Sequence, residues 1–284
     1  MSARVDFFHN AYANFTDEVL AAIRKEAFGR DLGQTGWTTL DEYDGFVDGL
    51  ELTADAHVLD VASGAGGTAL HLAERCGCRV TGIDVNMHGI AAARLAALRR
   101  QRADRVTFQA ADATARLPFD DAKFHALTCI DSMNHFPDRL DSLREWRRVL
   151  VPGGRAVFTD PVVITGAVTN EELAQRSSIG TFVFLPRGLN EELIVKAGFR
   201  IVSQTDVTEN AAIVSRRWRE ARQRFRDELV RIEGDERFDG VQRFLGAVHR
   251  LTSERRLSRI AWVVESLEAA AHERRGAVVS RTSR

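Results

Sequence analysis

Apolar positions along this chain follow two rhythms that take turns. Runs such as Val58-Leu59-Asp60-Val61-Ala62 and Val80-Thr81-Gly82-Ile83-Asp84 are apolar almost throughout and five or so residues long, which suits strands covered on both faces. Between them, apolar residues recur at helical spacing, as in Ala69, Leu70, Leu72 and Ala73. The pattern predicts strand 57–62, helix 67–76, strand 79–84, helix 88–101, strand 106–110, strand 125–130 and helix 139–150. A Pro152-Gly153-Gly154 turn and strand 155–160 follow. This alternation argues for a parallel sheet with helices on both faces. Right-handed crossovers then bring the strands' C-terminal ends to one edge, where ligands bind.

The rhythm differs at either end. Residues 1–30 carry Phe7, Phe8, Tyr12 and Phe15, the last three at helical spacing, and 29–43 reads as a loop with Gln34 and Trp37, then a helix capped near Thr39. After Asp160 the pattern is irregular through 189. It then predicts helix 190–197, strand 199–207, amphipathic helix across 211–253 and a last strand over 259–266. The expected organisation is an N-terminal helical lid (1–50), a core (51–210 and 254–271), a helical cap insertion (211–253) and a flexible tail (272–284).

The strand ends carry the candidate chemistry. Strand 57–62 breaks into Gly64-Ala65-Gly66-Gly67 and restarts as a helix, and such a turn lets a ligand approach the backbone beside free N–H groups. Asp60 at this strand's end would repel a pyrophosphate and suits a ligand with an ammonium or sulfonium charge. Asp84 closes the second strand twenty positions after Gly64, where an acid accepts ribose hydroxyls. Asp112, ending the third strand, can reach an adenine amine. Ile130, Asp131 and His135 follow the fourth strand, beside the first. Imidazole titrates near neutrality, so His135 is the candidate general base.

Asp60-Val-Ala-Ser-Gly64-Ala-Gly66, Gly82-Ile-Asp84, Ala111-Asp112-Ala113 and Pro152-Gly-Gly together resemble the successive motifs of class I S-adenosylmethionine-dependent methyltransferases. The resemblance runs over about residues 50–207, closest to the branch acting on sugars and natural products. It implies a Rossmann-like, doubly wound α/β fold with a mostly parallel seven-stranded sheet. It also implies S-adenosyl-L-methionine as cofactor and methyl transfer to O or N of a small molecule. Asp60 would engage the methionine portion, Asp84 the ribose and Asp112 the adenine amine, with Ala113 beside it. Gly64 and Gly66 would approach the cofactor backbone-first, and Val85 would lie against the adenine. The family usually has Gly where this chain has Ala62, which narrows the space beside the methionine end. Tyr12, Gln34 and Trp37 would close over that end, and Asp160 would assist His135. Asn134 stands where some relatives carry a second histidine.

Composition narrows the partners. A net charge of −1 gives no general reason to expect nucleic acid or a membrane, and no signal-peptide pattern or bilayer-length apolar run is present, so a cytoplasmic protein is expected. Cys76, Cys78 and Cys129 form no C-x-x-C pair, and the histidines have no metal-ligand spacing, so no metal is expected. No charge cluster marks a phosphate or carboxylate on the acceptor, and oligomeric state is unreadable. Two alternatives stay open: an NAD-dependent oxidoreductase, which the glycine turn plus Asp84 would also serve, and a non-catalytic homologue that binds the same cofactor.

Overall fold

The computed structural model describes residues 7–267 of the chain. The first helices are α1 (Phe7–Ala13), α2 (Glu18–Phe28) and α3 (Leu40–Asp48). The alternating region follows as β1 (His57–Val61), α4 (Gly67–Cys76), β2 (Arg79–Asp84), α5 (Met87–Arg99), β3 (Val106–Ala110), β4 (Phe124–Cys129), α6 (Arg139–Val149) and β5 (Leu150–Ile164). The remainder is α7 (Asn170–Arg176), β6 (Leu185–Pro186), α8 (Leu189–Lys196), β7 (Phe199–Asp206), α9 (Thr208–Arg224), α10 (Arg226–Glu233), α11 (Asp235–Ser253) and β8 (Leu257–Ser266).

The sheet order is β3-β2-β1-β4-β5-β8-β7, with two-residue β6 beside the end of β5. Every pairing is parallel except those of β8, which runs antiparallel between β5 and β7. The expected α/β class and mostly parallel sheet are therefore present, and β6 is an addition to the seven expected strands. β1 sits between β2 and β4, and helices cover both faces of the sheet there, which is why its sequence is apolar on both faces.

Three departures from the expected elements have local causes. β5 absorbs the Pro152-Gly153-Gly154 turn as an irregularity against β4, with Gly153 at φ 74°, and continues past Asp160 to Ile164. The stretch read as irregular contains α7, held by a capping box in which Thr169 and Glu172 satisfy each other's backbone N–H groups. The expected 211–253 helix is three helices, with breaks at Phe225 and at Gly234, whose φ of 80° glycine adopts freely. The predicted tail, 272–284, lies outside the described residues.

One apolar core joins one sheet face to α6 and α8, through residues such as Leu143, Trp146 and Ile194. The other face packs on α3, α4 and α5, so α3 belongs to the core and not to the expected lid segment. A third core joins Phe7, Ile23, Phe28 and Trp37 to Val214, Trp218 and Phe244. The expected lid and cap are thus one helical layer with a shared interior.

Phe158 of β5 is fully buried at the middle of the sheet, stacked on Trp262 with centroids 5.2 Å apart and meeting the edge of Trp146 at 5.7 Å. Neither large ring can collapse into the space it fills. Phe158→Ala is expected to lower stability by about 3–5 kcal/mol, measured as a shifted urea-unfolding midpoint.

Candidate functional site

The C-terminal ends of β1, β2, β3 and β4 open into a cavity of about 360 Å³ roofed by the helical layer. The turn after β1 makes its floor. Ala62 and Gly64 have φ of 57° and 53°, and the left-handed backbone at Ala62 gives a physical reason for glycine at that place in related proteins. A Cβ on Gly64 would run into the Tyr12 hydroxyl, and one on Gly67 into the Leu32 carbonyl oxygen, so the turn is also a seat for the N-terminal segment. Gly66 is not part of the cavity wall. A Cβ there would meet Phe108 and Ala93, so its glycine is required by helix–sheet packing rather than by a ligand.

Three predicted acids line the cavity. Asp60 is buried, with Oδ1 accepting from Thr128 Oγ1 at 2.6 Å and Oδ2 from Thr68 Oγ1 at 3.3 Å. No cation lies within ion-pair distance of it among the described residues, and burial pushes its carboxyl up to about 6. Asp84 accepts backbone N–H bonds from Gly64 and Asn86, both at 2.8 Å, and burial raises its pKa despite them. Asp112 is exposed, and its Oδ1 receives both the N–H and the hydroxyl of Thr114. Val85, 73% exposed, gives the same wall an apolar surface, and Ala113 and Ile130 complete it.

The end of β4 behaves differently from expectation. Asp131 borders the cavity, but its carboxylate is already engaged. Oδ1 takes Arg259 Nε at 2.6 Å and Thr159 Oγ1 at 2.8 Å, while Oδ2 takes the Trp37 N–H at 2.6 Å and Thr38 Oγ1 at 3.0 Å. Burial would raise this carboxyl, but the Arg259 guanidinium outweighs it and holds the pKa below the usual range. Asp131 therefore anchors the 35–38 loop at the cavity's border. Arg259 also binds Glu42 at 2.7 Å. Sequence reading missed it, although an arginine at the head of the apolar run Ile260-Ala261-Trp262-Val263 lies in a strand that the core buries and needs a carboxylate there.

His135, at the end of a 3₁₀ turn spanning Met133–His135, lines the cavity between the rings of Phe8 and Phe182. Its Nδ1 lies 3.2 Å from the Thr181 carbonyl, which can only accept, so Nδ1 carries the proton and a neutral ring has its lone pair on Nε2. Asp160 does not join it. This carboxylate is fully buried, paired with Arg139 and with Asn190 Nδ2 at 2.9 Å, and it is no part of the cavity wall. The structure makes it the tie between β5, α6 and α8, a correction to its expected place beside the histidine.

The three lid residues line the cavity in different ways. The Tyr12 hydroxyl lies across Gly64 and meets Thr35 Oγ1 at 3.1 Å, and burial raises its pKa. Gln34 spends its amide on its own loop, accepting from Leu32 N–H at 2.7 Å and donating to the Arg30 carbonyl at 3.1 Å. Trp37 packs against Trp218 and Phe244. Two further residues stand out in the wall, of which Arg176 has no signal in the sequence. Arg176 is buried among aromatic rings, and Asn134 is buried with its Oδ1 lacking a hydrogen-bond partner.

A family model described as a methyltransferase domain matches residues 58–154. Methyltransferase GfsG of Streptomyces halstedii is 36% identical over 165 residues, 56% of this chain and 58% of that protein. O-methyltransferase rstn1 of Aspergillus nomiae is 31% identical over 157 residues, covering 55% of this chain and 69% of that one. The chain belongs to the class I S-adenosylmethionine-dependent methyltransferases. It spans 55–61% of the length of the first curated relatives it matches. In fold, this methyltransferase is similar to the solved structure of the cyclopropane synthase MmaA2 from Mycobacterium tuberculosis, with a TM-score of 0.78 and 16% identity over 92% of this chain and 99% of that one.

The roof of the cavity depends on the Asp131–Arg259 contact. Arg259→Met leaves Asp131 and Glu42 buried without a cation, and is expected to destabilise by about 3–5 kcal/mol, read by thermal unfolding. Asp131 is depressed in the folded state. Its contribution is therefore full above the unfolded value of about 3.9 and is lost as pH falls through the folded one. That acid-side loss should be smaller in the variant.

Proposed function

We propose that the protein transfers a methyl group from S-adenosyl-L-methionine to an oxygen or nitrogen of a small molecule. The observation that carries this reading is Asp60, a buried carboxylate without a cation among the described residues, at the floor of a cavity that also offers an apolar surface and two more acids. Such a carboxylate calls for a positive charge from a ligand, and the methionine end of this cofactor carries one on nitrogen and one on sulfur. A pyrophosphate would meet repulsion there, which disfavours a nicotinamide dinucleotide. The relatives' printed names, several of them O-methyltransferases, favour oxygen as the acceptor atom.

The residues fit the cofactor in the expected order. Asp60 would hold the methionine portion, with Ala62 and Gly64 presenting backbone beside it. Asp84, reachable though bonded to two N–H groups, would take the ribose. Asp112 and Ala113 would meet the adenine edge, and Val85 and Ile130 its faces. Tyr12, seated on Gly64, would cover the methionine end. When bound, the cofactor supplies a methyl group already activated by positive sulfur, so the protein's task is alignment, which can contribute roughly 7–11 kcal/mol. His135 Nε2 would take the proton that the acceptor hydroxyl or amine loses as it is methylated. The aromatic roof would exclude water, a competing nucleophile.

Calorimetric titration tests the cofactor. Micromolar binding of S-adenosylmethionine and S-adenosylhomocysteine is expected, lost in Asp84→Ala, with no response to NADH. No binding by the intact protein would falsify the reading. The carboxylate of Asp60 must be ionised to pair with the ligand, so affinity is expected to fall by up to about tenfold per pH unit below about 6. Asp60→Asn should bind weakly at every pH and lose that slope. Once an acceptor is found, His135→Gln is expected to lower kcat by roughly 10²–10⁴ with cofactor affinity unchanged. A kcat within a few-fold of the intact protein's would remove the base assignment.

A further inference from the structure

Five arginines are buried among the described residues, and four have a carboxylate partner. Arg24 pairs with Asp31, Arg139 with Asp160, Arg222 with Glu233, and Arg259 with Asp131 and Glu42. Arg176 is the exception. It is 1% exposed and forms no ion pair among the described residues, and its Nε and Nη1 have no hydrogen-bond partner. Nη2 reaches only the Pro161 carbonyl, at 3.4 Å. The guanidinium packs instead against Phe182, Phe244 and Trp37, at 5.0, 5.2 and 5.6 Å from the ring centroids. Burial lowers its pKa to about 9, against the opposing pull of Asp131 and Asp160, so it still holds its proton at neutral pH.

An isolated buried cation is unfavourable unless something pairs with it, and rings offset only part of the lost hydration. Arg176 lines the cavity, so the missing partner can arrive as a ligand. Phe182, against which Arg176 packs, also meets the ring of His135 at 4.9 Å. The cation and the candidate base therefore share one wall, which also holds the partnerless Oδ1 of Asn134.

We propose that Arg176 is the counter-ion for a carboxylate on the methyl acceptor, an aromatic monocarboxylic acid whose separate hydroxyl or amino group is methylated beside His135 and Asn134. This deepens the methyltransferase reading and rests on it. A guanidinium fork matches a carboxylate with two parallel N–H bonds, and Nη1, which has no partner, forms such a fork with Nη2, which has only the long Pro161 contact. One arginine balances one negative charge. A phosphate dianion would leave a charge uncompensated in an apolar enclosure that Asp131 already borders. The aromatic surroundings give the acceptor's ring an apolar place to lie.

The test uses a panel of hydroxybenzoic, hydroxycinnamic and hydroxynaphthoic acids, each with its neutral primary amide, and phenyl phosphate. Binding is measured with the full chain, with and without saturating S-adenosylhomocysteine. At least one acid is expected to bind ten-fold or more tighter than its amide and than phenyl phosphate. Arg176→Met should erase that preference, Arg176→Lys should keep part of it, and both should bind S-adenosylhomocysteine normally. Arg176→Met should also melt no lower than the intact protein, because it removes a charge that nothing in the fold pairs.

Acids and amides that bind alike, no acid bound at all, phosphate preferred, or a preference that survives Arg176→Met would each overturn the proposal. So would a loss of several degrees in melting temperature for Arg176→Met, which would make the arginine structural. A protein that binds S-adenosylhomocysteine but prefers no acid leaves the cofactor reading standing. One that binds acids but no S-adenosylhomocysteine sinks the methyl-acceptor assignment together with the cofactor reading.

Discussion

The buried guanidinium of Arg259 ties together three distant parts of the chain. From β8 it reaches Asp131 at the end of β4 and Glu42 on α3, while Asp131 in turn takes the main-chain N–H of Trp37. The order of strands makes this contact possible, since inserting β8 antiparallel beside β5 carries an arginine from the end of the chain to the ligand edge. A buried ion pair of this kind is geometrically demanding and tolerates no loose partner. Part of the roof follows from it: Asp131 holds the 35–38 loop, and that loop sets Trp37 against Trp218 and Phe244.

Beneath that roof the charges are sorted. The floor by the glycine turn carries Asp60 and Asp84 with no cation among the described residues to pair with them, and the wall beside His135 carries Arg176 with no anion. Elsewhere in the interior, opposite charges are matched within hydrogen-bonding distance. Unmatched charge facing a cavity is unfavourable in the free protein and is neutralised by a ligand of opposite sign. The polarity across the cavity thus reads as a cationic group bound at the floor and an anionic one at the wall, with His135 near the latter. Fold similarity reaches a cyclopropane synthase as readily as it would any methyltransferase, so the chemistry has to be argued from these side chains.

Much of this was legible along the chain. β2, β3 and α4 begin and end where the apolar pattern and glycines put them, because their hydrogen bonds and buried faces follow from spacing within a few residues. The acids at the ends of β1 and β2 and just past β3 reach the cavity for the same reason, since a residue's place at a strand end is set by the strand itself. The resemblance to similar enzymes implies Tyr12 and Trp37 as lid residues, and both border the cavity.

What the sequence by itself determined is therefore the parallel α/β framework, the glycine turn and the acids presented at its edge, all products of local periodicity. The tertiary structure alone decided which charged groups find each other. Asp160 was expected beside His135 and pairs with Arg139, Asp131 was expected at the ligand and holds Trp37 and Arg259, and Gly66 answers to Phe108. Arg176 sits at the end of a helix that no apolar pattern announced, and its lack of a partner is a property of its whole surroundings. Pairing in three dimensions joins residues more than a hundred positions apart, and the spacing of apolar residues along a chain carries no record of it.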